Sequence, residues 1–244
     1  YNLTQKASYL EFAEYLVEFL SESNVNIFTL AAEDKLMPYQ YPVTKAYEMM
    51  SCFEGLLEYY RVTGKEEYKE TVIKFVDRVK ESDITIIGCA GCEHELFNHS
   101  AATQTDIDYT GIMQETCVTV TWMKLCSQLL LLTGNAKYAD YIEHSYYNAL
   151  CGAINNEKAT ENGGFMFDSY SPLTIGKRGR FIGGYKDIAP GKYYGCCAAI
   201  GAAGTALPLL TAITATQKGV AVNYYEAGCA DVNGFTLEIK TNYP

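Results

Sequence analysis

The sequence predicts an all-α fold, a partial α/α toroid of helical hairpins, with the beginning of a β-sandwich at its C-terminal end. Two observations predict the helical part. Apolar residues recur at helical spacing through the first two-thirds of the chain, and one helical hairpin is echoed seventy residues later. A third observation, alternating β-branched residues after residue 211, predicts strands. We therefore expect a helical domain over 1–210 and the first sandwich strands over 211–244.

The helical spacing places the elements before residue 154. Helices are expected over residues 4–21, 44–63, 66–82, 112–132 and 136–153. Gly64 and Gly134 stand where two of these helices should end, and glycine readily adopts the left-handed conformation of a C-terminal cap. The stretch 83–111 shows little periodicity, and we predict turns there.

An internal repeat of a helical hairpin indicates the architecture. The segments Phe53–Val76 and Met123–Tyr146 both place a Thr-Gly pair between two helices, with a tyrosine four residues after the glycine (Tyr68 and Tyr138). One such hairpin cannot bury its own apolar face. Repeated hairpins therefore predict a layered helical array or a closed α/α toroid.

The last third of the chain changes character. Residues 154–195 are rich in Gly, Asn and Lys, with one candidate strand in FMFDSY. A small-residue helix is expected from Ala198 to about Leu210. TAITAT-QKG-VAVNYYEA then predicts a hairpin, and GFTLEIKTNYP a further strand.

The charge and hydropathy of the chain exclude some partners. The net charge is −10 and no Lys/Arg cluster occurs, which argues against a nucleic-acid or anionic-membrane surface and suits a neutral substrate. No continuous apolar stretch approaches the length of a membrane span. The sequence leaves a homo-oligomer open.

The cysteine count bounds the redox state. An odd number of cysteines excludes complete internal pairing, and a chain of 244 residues needs no disulfide staples. Free thiols in a reducing compartment are therefore expected, which favours the cytoplasm and leaves the periplasm as the alternative. The nine cysteines are Cys52, Cys89, Cys92, Cys117, Cys126, Cys151, Cys196, Cys197 and Cys229.

Two cysteine patterns could bind a metal. Glu115 and Cys117, together with the distant pair Cys196-Cys197, offer three thiolates and one carboxylate, which is a plausible zinc set. From spacing alone, the competing interpretation is a buried, inert cysteine pair. The CxxC spacing of Cys89 and Cys92 fits a redox pair or half of a zinc site, but ordinary turn cysteines are the favoured interpretation.

The candidate acid/base residues lie in the turn-rich stretch. Glu93, His94 and Glu95 form a dense titratable group, in which one carboxylate could act as a general acid/base or all could belong to a solvated loop. The role of His99 stays open, and His144 is expected on a helix surface. No P-loop, dinucleotide-binding fingerprint or serine nucleophile elbow occurs in the sequence.

Three runs carry a resemblance to a known family. They are ETCVTVTWMKLCSQLLLLTGNAKYADYIEHSYYNAL (Glu115–Leu150), MMSCFEGLLEYYRVTG (Met49–Gly64) and YYGCCAAIG (Tyr193–Gly201). In kind and order they resemble the β-L-arabinofuranosidases of glycoside hydrolase family 127 and their uncharacterised relatives. The similarity covers essentially the whole chain, and ETC followed by CC is fairly specific to that group.

The resemblance implies an (α/α)6 barrel followed by β-sandwich domains, which makes 1–210 the catalytic domain. It implies a zinc ion held by the motif residues Glu115, Cys117, Cys196 and Cys197. It gives Cys196 the role of nucleophile and an upstream loop glutamate that of general acid/base. Glu95 fits that role best, and Glu93 is the alternative.

The implied activity is retaining hydrolysis of β-L-arabinofuranosides or similar plant-derived sugars by a zinc-bound cysteine. Two alternatives are a non-catalytic or incomplete helical domain with structural zinc or thiols, and a carboxylate-only α/α-barrel hydrolase or lyase. The sequence departs from the family pattern in two ways. Ala198-Ala199 stands where Pro or Asn usually follows CC. The family's earlier barrel hairpins and later sandwich strands are also not in the sequence.

Overall fold

The computed structural model describes residues 1–19, 25–108, 111, 113–154, 166–173, 185–189, 192–232 and 234–243. Their secondary structure is mostly helical with a few small sheets, which confirms the helical part of the prediction. The chain divides into two compact units. The first unit comprises Tyr1–Ile86 and Ala90–Ile112, and the second comprises Ile87–Cys89 and Met113–Pro244.

The first unit is built around a helical hairpin. Its helices are α1 (Ala7–Phe19), α2 (Ile27–Glu33), α3 (Ala46–Thr63), α4 (Glu66–Ser82) and α5 (Ser100–Thr103), with a 3-10 turn at Pro38–Gln40 and a two-residue strand β1 (Glu93–His94). Phe53 of α3 stacks on Phe75 of α4 with ring centroids 3.7 Å apart, and Phe28 of α2 meets Phe53 edge-on. These fully or nearly fully buried rings form the centre of the core of this unit.

The second unit contains a second hairpin, a pair of short helices and several small sheets. The elements are β2 (Met113–Glu115), α6 (Thr116–Thr133), α7 (Lys137–His144), a π-helical turn (Ser145–Leu150), β3 (Tyr170–Ser171), β4 (Tyr185–Ala189), β5 (Lys192–Gly195), α8 (Cys196–Gly204), α9 (Leu207–Thr211), β6 (Ile213–Thr216), β7 (Gly219–Val222), β8 (Gly228–Val232) and β9 (Phe235–Ile239).

The strands of this unit pair antiparallel. β2 pairs with β3, which sets Gln114 opposite Ser171 and Glu115 opposite Tyr170. β4 pairs with β5 through a bulge, and the hairpins β6–β7 and β8–β9 lie at the C-terminal end. Because α6 begins at the residue after β2, the β2–β3 pair fixes where that helix starts.

Helix α6 is the central helix of its unit. Buried residues face every side of it, from Thr116 to Leu130. Among the described residues it is the one helix long and apolar enough to cross a membrane, but 72% of that window is buried inside the protein. This is the pattern of a core helix, which the surrounding α7, α8 and α9 cover.

The boundaries differ from the predicted ones at identifiable places. The helix predicted over 112–132 begins at Thr116, because residues 113–115 pair as a strand. The helix expected after Cys196-Cys197 begins at Cys196 itself and is divided into α8 and α9. The helix predicted over 4–21 is observed over Ala7–Phe19, and residues 20–24 lie outside the described part of the chain. Strands β4, β5 and β8 were not predicted, and of the candidate strand FMFDSY only the last residue, Tyr170, lies in an observed strand, β3.

Candidate metal centre and active site

Glu115 and Cys117 are positioned by the junction between β2 and α6. Glu115 is the extended residue before the helix (φ −86°, ψ 133°), and its side chain makes no capping bond to the helix. The backbone N–H of Thr116 donates to the carbonyl of Ser169 over 3.0 Å instead. The junction therefore sends the Glu115 side chain and the Cys117 side chain, in the first turn of the helix, toward the same side of the unit.

Cys196 and Cys197 are brought to that place by α8, which packs closely because its residues are small. A Cβ at Gly201 would lie 2.7 Å from the ring of Phe167, and one at Gly204 would lie 2.6 Å from a methyl group of Val120 in α6. Only glycine fits at these contacts. Gly201 and Gly204 thus allow α8 to pack closely against Phe167 and α6, which places Cys196 and Cys197 near the start of α6.

The four predicted ligands meet. One donor atom from each of Glu115, Cys117, Cys196 and Cys197 lies within 4.8 Å of all the others. The Sγ atoms of Cys117 and Cys197 are 3.2 Å apart, and those of Cys196 and Cys197 are 3.8 Å apart. The Sγ atom of Cys197 lies 3.6 Å from Oε1 of Glu115. Residues separated by 80 positions in the sequence therefore form one cluster, which we call the thiolate cluster.

The donor set of the thiolate cluster and two of its three short separations fit a tetrahedral zinc ion, whereas the 3.2 Å between the Sγ atoms of Cys117 and Cys197 is shorter than such an ion requires. With Zn–S bonds of about 2.3 Å and Zn–O bonds of about 2.1 Å, two ligand sulfurs should be about 3.8 Å apart and a sulfur and an oxygen about 3.6 Å apart. The Cys196–Cys197 and Cys197–Glu115 distances match these values. The donor set of three sulfurs and one carboxylate oxygen is also one that zinc accepts.

Exposure separates one sulfur from the rest. Glu115, Cys117 and Cys197 are 3%, 3% and 1% exposed, whereas Cys196 is exposed. Three donors are therefore closed off from solvent, and one sulfur can meet a molecule from outside. This is the arrangement that a reactive cysteine inside a ligand set requires.

The two buried sulfurs are hydrogen-bonded to each other. The Cys117 thiol donates toward Cys197, and this hydrogen bond lowers the pKa of Cys197 against the opposing effect of burial. The pKa of Cys117 is raised, first by the same hydrogen bond and then by burial. The pKa of Cys196 is raised, chiefly by partial desolvation, although this sulfur is the exposed one of the three. In the absence of a cation, Cys197 is thus the sulfur that ionises first.

The candidate acid/base residues belong to the first unit. Glu95 forms an ion pair with Lys45, and its backbone carbonyl accepts the N–H of Ala46 over 2.7 Å. Glu93 accepts a hydrogen bond of 3.2 Å from the side-chain amide of Asn98. Both carboxylates are half-buried, so neither is a freely solvated loop residue.

The remaining candidates have local partners. Neither Cys89 nor Cys92 forms a disulfide bond, and Cys92 donates to the side chain of Asn98, which agrees with the turn-cysteine interpretation. His99 adopts a left-handed conformation (φ 59°) and stacks on Tyr39 with ring centroids 4.5 Å apart. His144 lies half-buried in the last turn of α7.

Sequence reasoning missed one contact of the cluster. The buried thiol of Cys89 donates to the backbone carbonyl of Glu115 over 3.6 Å, and the hydroxyl of Thr119 donates to the same carbonyl over 3.2 Å. Both bonds fix the peptide that carries the carboxylate ligand. Spacing offers no signal for the cysteine, since Cys89 lies 26 residues before Glu115.

Comparison with known proteins decides the family. Residues 1–204 match the family described as beta-L-arabinofuranosidase, GH127 catalytic domain. The chain belongs to this family. The resemblance stated from the sequence is thereby confirmed, and the thiolate cluster lies within the matched residues. None of the curated proteins matches the chain.

Solved structures agree in fold. All of the chain superposes on a GH127 β-arabinofuranosidase (TM-score 0.68, 21% identity), on a GH127 β-L-arabinofuranosidase from Geobacillus stearothermophilus T6 (0.66, 16%) and on a protein titled glycoside hydrolase (0.65, 18%). The chain spans 37%, 41% and 42% of these three chains, respectively. At these identities the likeness concerns the fold.

Proposed function

We propose that this chain is the catalytic part of a retaining glycoside hydrolase that acts on β-linked L-arabinofuranosides or similar plant-derived sugars. The observation that carries the proposal is the thiolate cluster, with three buried donors and the exposed sulfur of Cys196, in a chain of this family. Two solved neighbours are titled β-arabinofuranosidases, which suggests the glycone. Residues 1–210 would belong to an (α/α)6 barrel, and 211–244 would begin a β-sandwich.

The proposed cofactor is zinc, held by Glu115, Cys117, Cys196 and Cys197. A bound zinc ion would supply a positive charge that keeps thiolates deprotonated near neutral pH. The three buried donors would hold the site closed on the protein side. The free thiols suit a reducing compartment, and we propose the cytoplasm as the location.

Cys196 is the proposed nucleophile. Its sulfur would attack the anomeric carbon and form a glycosyl-thioether, while the bond to the departing oxygen breaks. Glu95 would give its proton to that oxygen. The Glu95 carboxylate would then take a proton from water, whose oxygen attacks the anomeric carbon and releases the sulfur as thiolate. Two displacements at one carbon retain its configuration.

Cys196→Ala tests the nucleophile. With an aryl β-L-arabinofuranoside as substrate, kcat/KM should fall by about a thousandfold or more, because no other exposed group of the cluster can form the covalent intermediate. Cys229→Ala is the matched control, since Cys229 is also an exposed thiol but lies outside the cluster. Equal release of the aryl group by wild type and Cys196→Ala would contradict the assignment.

Glu95→Gln and Glu93→Gln test the acid/base. With an activated aryl leaving group, the first displacement needs little protonation, so Glu95→Gln should slow the second displacement and accumulate the glycosylated protein. Mass spectrometry of the intact protein would detect that adduct. A larger loss in Glu93→Gln would move the role to Glu93.

The same experiments separate the competing functions. A helical domain with structural zinc or thiols would bind the metal but release no sugar in any variant. A carboxylate-only hydrolase or lyase would keep full activity after chelation and in Cys196→Ser. Loss of activity in both conditions supports the thiolate mechanism.

A further inference from the structure

Thr116 lies between two proposed ligands, and both its hydroxyl and its backbone N–H bond to residues outside helix α6. Its side chain is 3% exposed, and its hydroxyl donates to the backbone carbonyl of Asp168 over 2.6 Å. Its N–H donates to the carbonyl of the next residue, Ser169, over 3.0 Å. One residue therefore makes two consecutive bonds to one segment of chain.

That segment, Phe167–Ser169, also touches the helix that carries the other two ligands. The carbonyl of Ser169 lies 3.8 Å from Sγ of Cys197, and the ring of Phe167 fills the space that the missing side chain of Gly201 leaves in α8. The N–H of Asp168 donates to the carbonyl of Ala153 over 2.8 Å, which fixes the segment from behind. We call Phe167–Ser169 the strap.

The start of α6 needs this support. The first N–H groups of a helix have no partner within the helix, and a side chain at the N-cap position usually satisfies one of them. Here the N-cap residue is Glu115, which makes no such bond because its carboxylate is directed to Cys197. The Glu115 side chain therefore contacts the cluster and does not cap the helix.

We propose that Thr116 is the positioning residue of the thiolate cluster. Its two bonds hold Glu115 and Cys117 on the strap, and the strap contacts α8, so donors from two distant helices are held at the separation that one ion requires. This explains the middle residue of the ETC motif, for which the ligand assignment gives no role. The inference rests on the metal centre of the proposed function.

Of the other threonines of α6, Thr121 provides the control. Thr121 is fully buried, and within the described residues its hydroxyl has no hydrogen-bond partner. Thr119 donates to the carbonyl four residues earlier, within its own helix turn. Neither hydroxyl bonds to the strap. Replacing Thr121 by Val removes a buried hydroxyl from the same helix with the same change of shape.

The test compares Thr116→Val, Thr116→Ser and Thr121→Val in the full chain. Zinc affinity is measured by competition with a chromophoric chelator, and Co²⁺ is used to read the sulfur-to-metal charge-transfer bands. Thr116→Val should weaken zinc binding by about tenfold to a hundredfold, the range for residues that orient ligands, and should alter the Co²⁺ spectrum. Thr116→Ser should restore both readouts, and Thr121→Val should match wild type.

Each outcome supports or overturns the positioning role of Thr116. Thr116→Val with wild-type affinity and spectrum overturns the positioning role. If Thr116→Ser fails as badly as Thr116→Val, the methyl group matters and the hydrogen bond does not, which also overturns it. An equal fall of the melting temperature with and without zinc would indicate a structural role only. A wild-type chain that binds no metal overturns the proposed metal centre itself, before any variant is compared.

Discussion

The two Thr-Gly hairpins of the chain begin in the same way. Lys45 and Glu115, seventy residues apart, are both extended N-cap residues without a side-chain cap bond. The first helical residue then donates its N–H to a carbonyl from a distant loop: Ala46 to Glu95 over 2.7 Å, and Thr116 to Ser169 over 3.0 Å. The repeat noticed in the sequence therefore extends to the geometry of the helix start.

The side chains at the equivalent N-cap positions behave differently. In the α3–α4 hairpin, Lys45 is partly exposed and forms an ion pair with Glu95, the proposed acid/base. In the α6–α7 hairpin, Glu115 is buried and directed to three sulfurs. The same helix-start geometry thus places Lys45 beside the carboxylate of Glu95 in the first hairpin and supplies Glu115 as a candidate ligand in the second. Under the proposed function, the N-terminal ends of these hairpins hold or adjoin the reacting groups, while their helices supply the core.

Replacing the N-cap side chain should change zinc affinity in one hairpin and leave it unchanged in the other. Glu115→Gln replaces a charged ligand with a neutral amide, so we expect zinc affinity to fall by at least about a hundredfold, since each ligand contributes a large share of the binding free energy. Lys45→Met should leave zinc affinity unchanged and cost at most about 1 kcal/mol of stability, because its ion pair is solvent-exposed. Chelator competition and thermal unfolding measure both. A metal effect of Lys45→Met would break the contrast.

The hydrogen bond between the buried sulfurs predicts a titration in the metal-free, reduced protein. The pKa of Cys197 is lowered because Cys117 donates a hydrogen bond to it. As the pH rises, thiolate absorbance near 240 nm should therefore increase well below the ordinary cysteine pKa of about 8.5. Cys117→Ala removes the hydrogen-bond donor while Cys197 stays buried, so the titration of Cys197 should move to higher pH. Neither Cys52 nor Cys92 of the first unit should replace it, because desolvation raises the pKa of both thiols.

Two glycines should respond in opposite directions to alanine. Gly201→Ala forces a methyl group against the Phe167 ring and should cost about 1–3 kcal/mol, as overpacking does. Gly55, in the middle of α3, has no neighbouring atom within 4 Å of the added methyl group. Gly55→Ala should therefore stabilise the protein by about 0.5–1 kcal/mol. Denaturant unfolding with unchanged slope would give both values.

The two C-terminal caps should respond alike. Gly64 and Gly134 have φ of 70° and 66°, and no atom lies within 4 Å of an added Cβ at either position. The cost of alanine is then purely conformational, about 1 kcal/mol at each site. Equal shifts in thermal unfolding would show that the hairpins share one frame; a marked inequality would limit the repeat to the helix starts.

Local signals predicted the hairpins because the information lies within them. Helix α4 was predicted at its observed ends, and α3 within two residues of its start, since Gly64 ends one helix and the apolar spacing is regular. The start of α6 was missed by a few residues, because Met113–Glu115 become extended only by pairing with residues far along the chain. Strand β8 was missed because GCADV has neither alternation nor many β-branched residues.

The site could be predicted only in part. Spacing alone left Cys196-Cys197 as an inert pair, and family resemblance selected the four ligands that the structure brings together. The bonds that hold the ligands could not be found in that way. Cys89, Thr116 and the strap act through backbone carbonyls, and a carbonyl carries no sequence signal. These hydrogen bonds can be identified only from the folded structure, in which Cys89, Thr116 and the strap come into contact.

The short distance between the Cys117 and Cys197 sulfurs makes this pair able to form a disulfide when the protein is oxidised. At 3.2 Å they need to approach by only about 1.2 Å to reach the length of a covalent S–S bond. A peroxide and a zinc ion would compete for the same pair, because a disulfide leaves neither sulfur available as a ligand. Because both sulfurs are closed off from solvent, exposed Cys196 should be oxidised before them in samples kept metal-free and without reductant, and a bound metal would protect the buried pair from forming a disulfide.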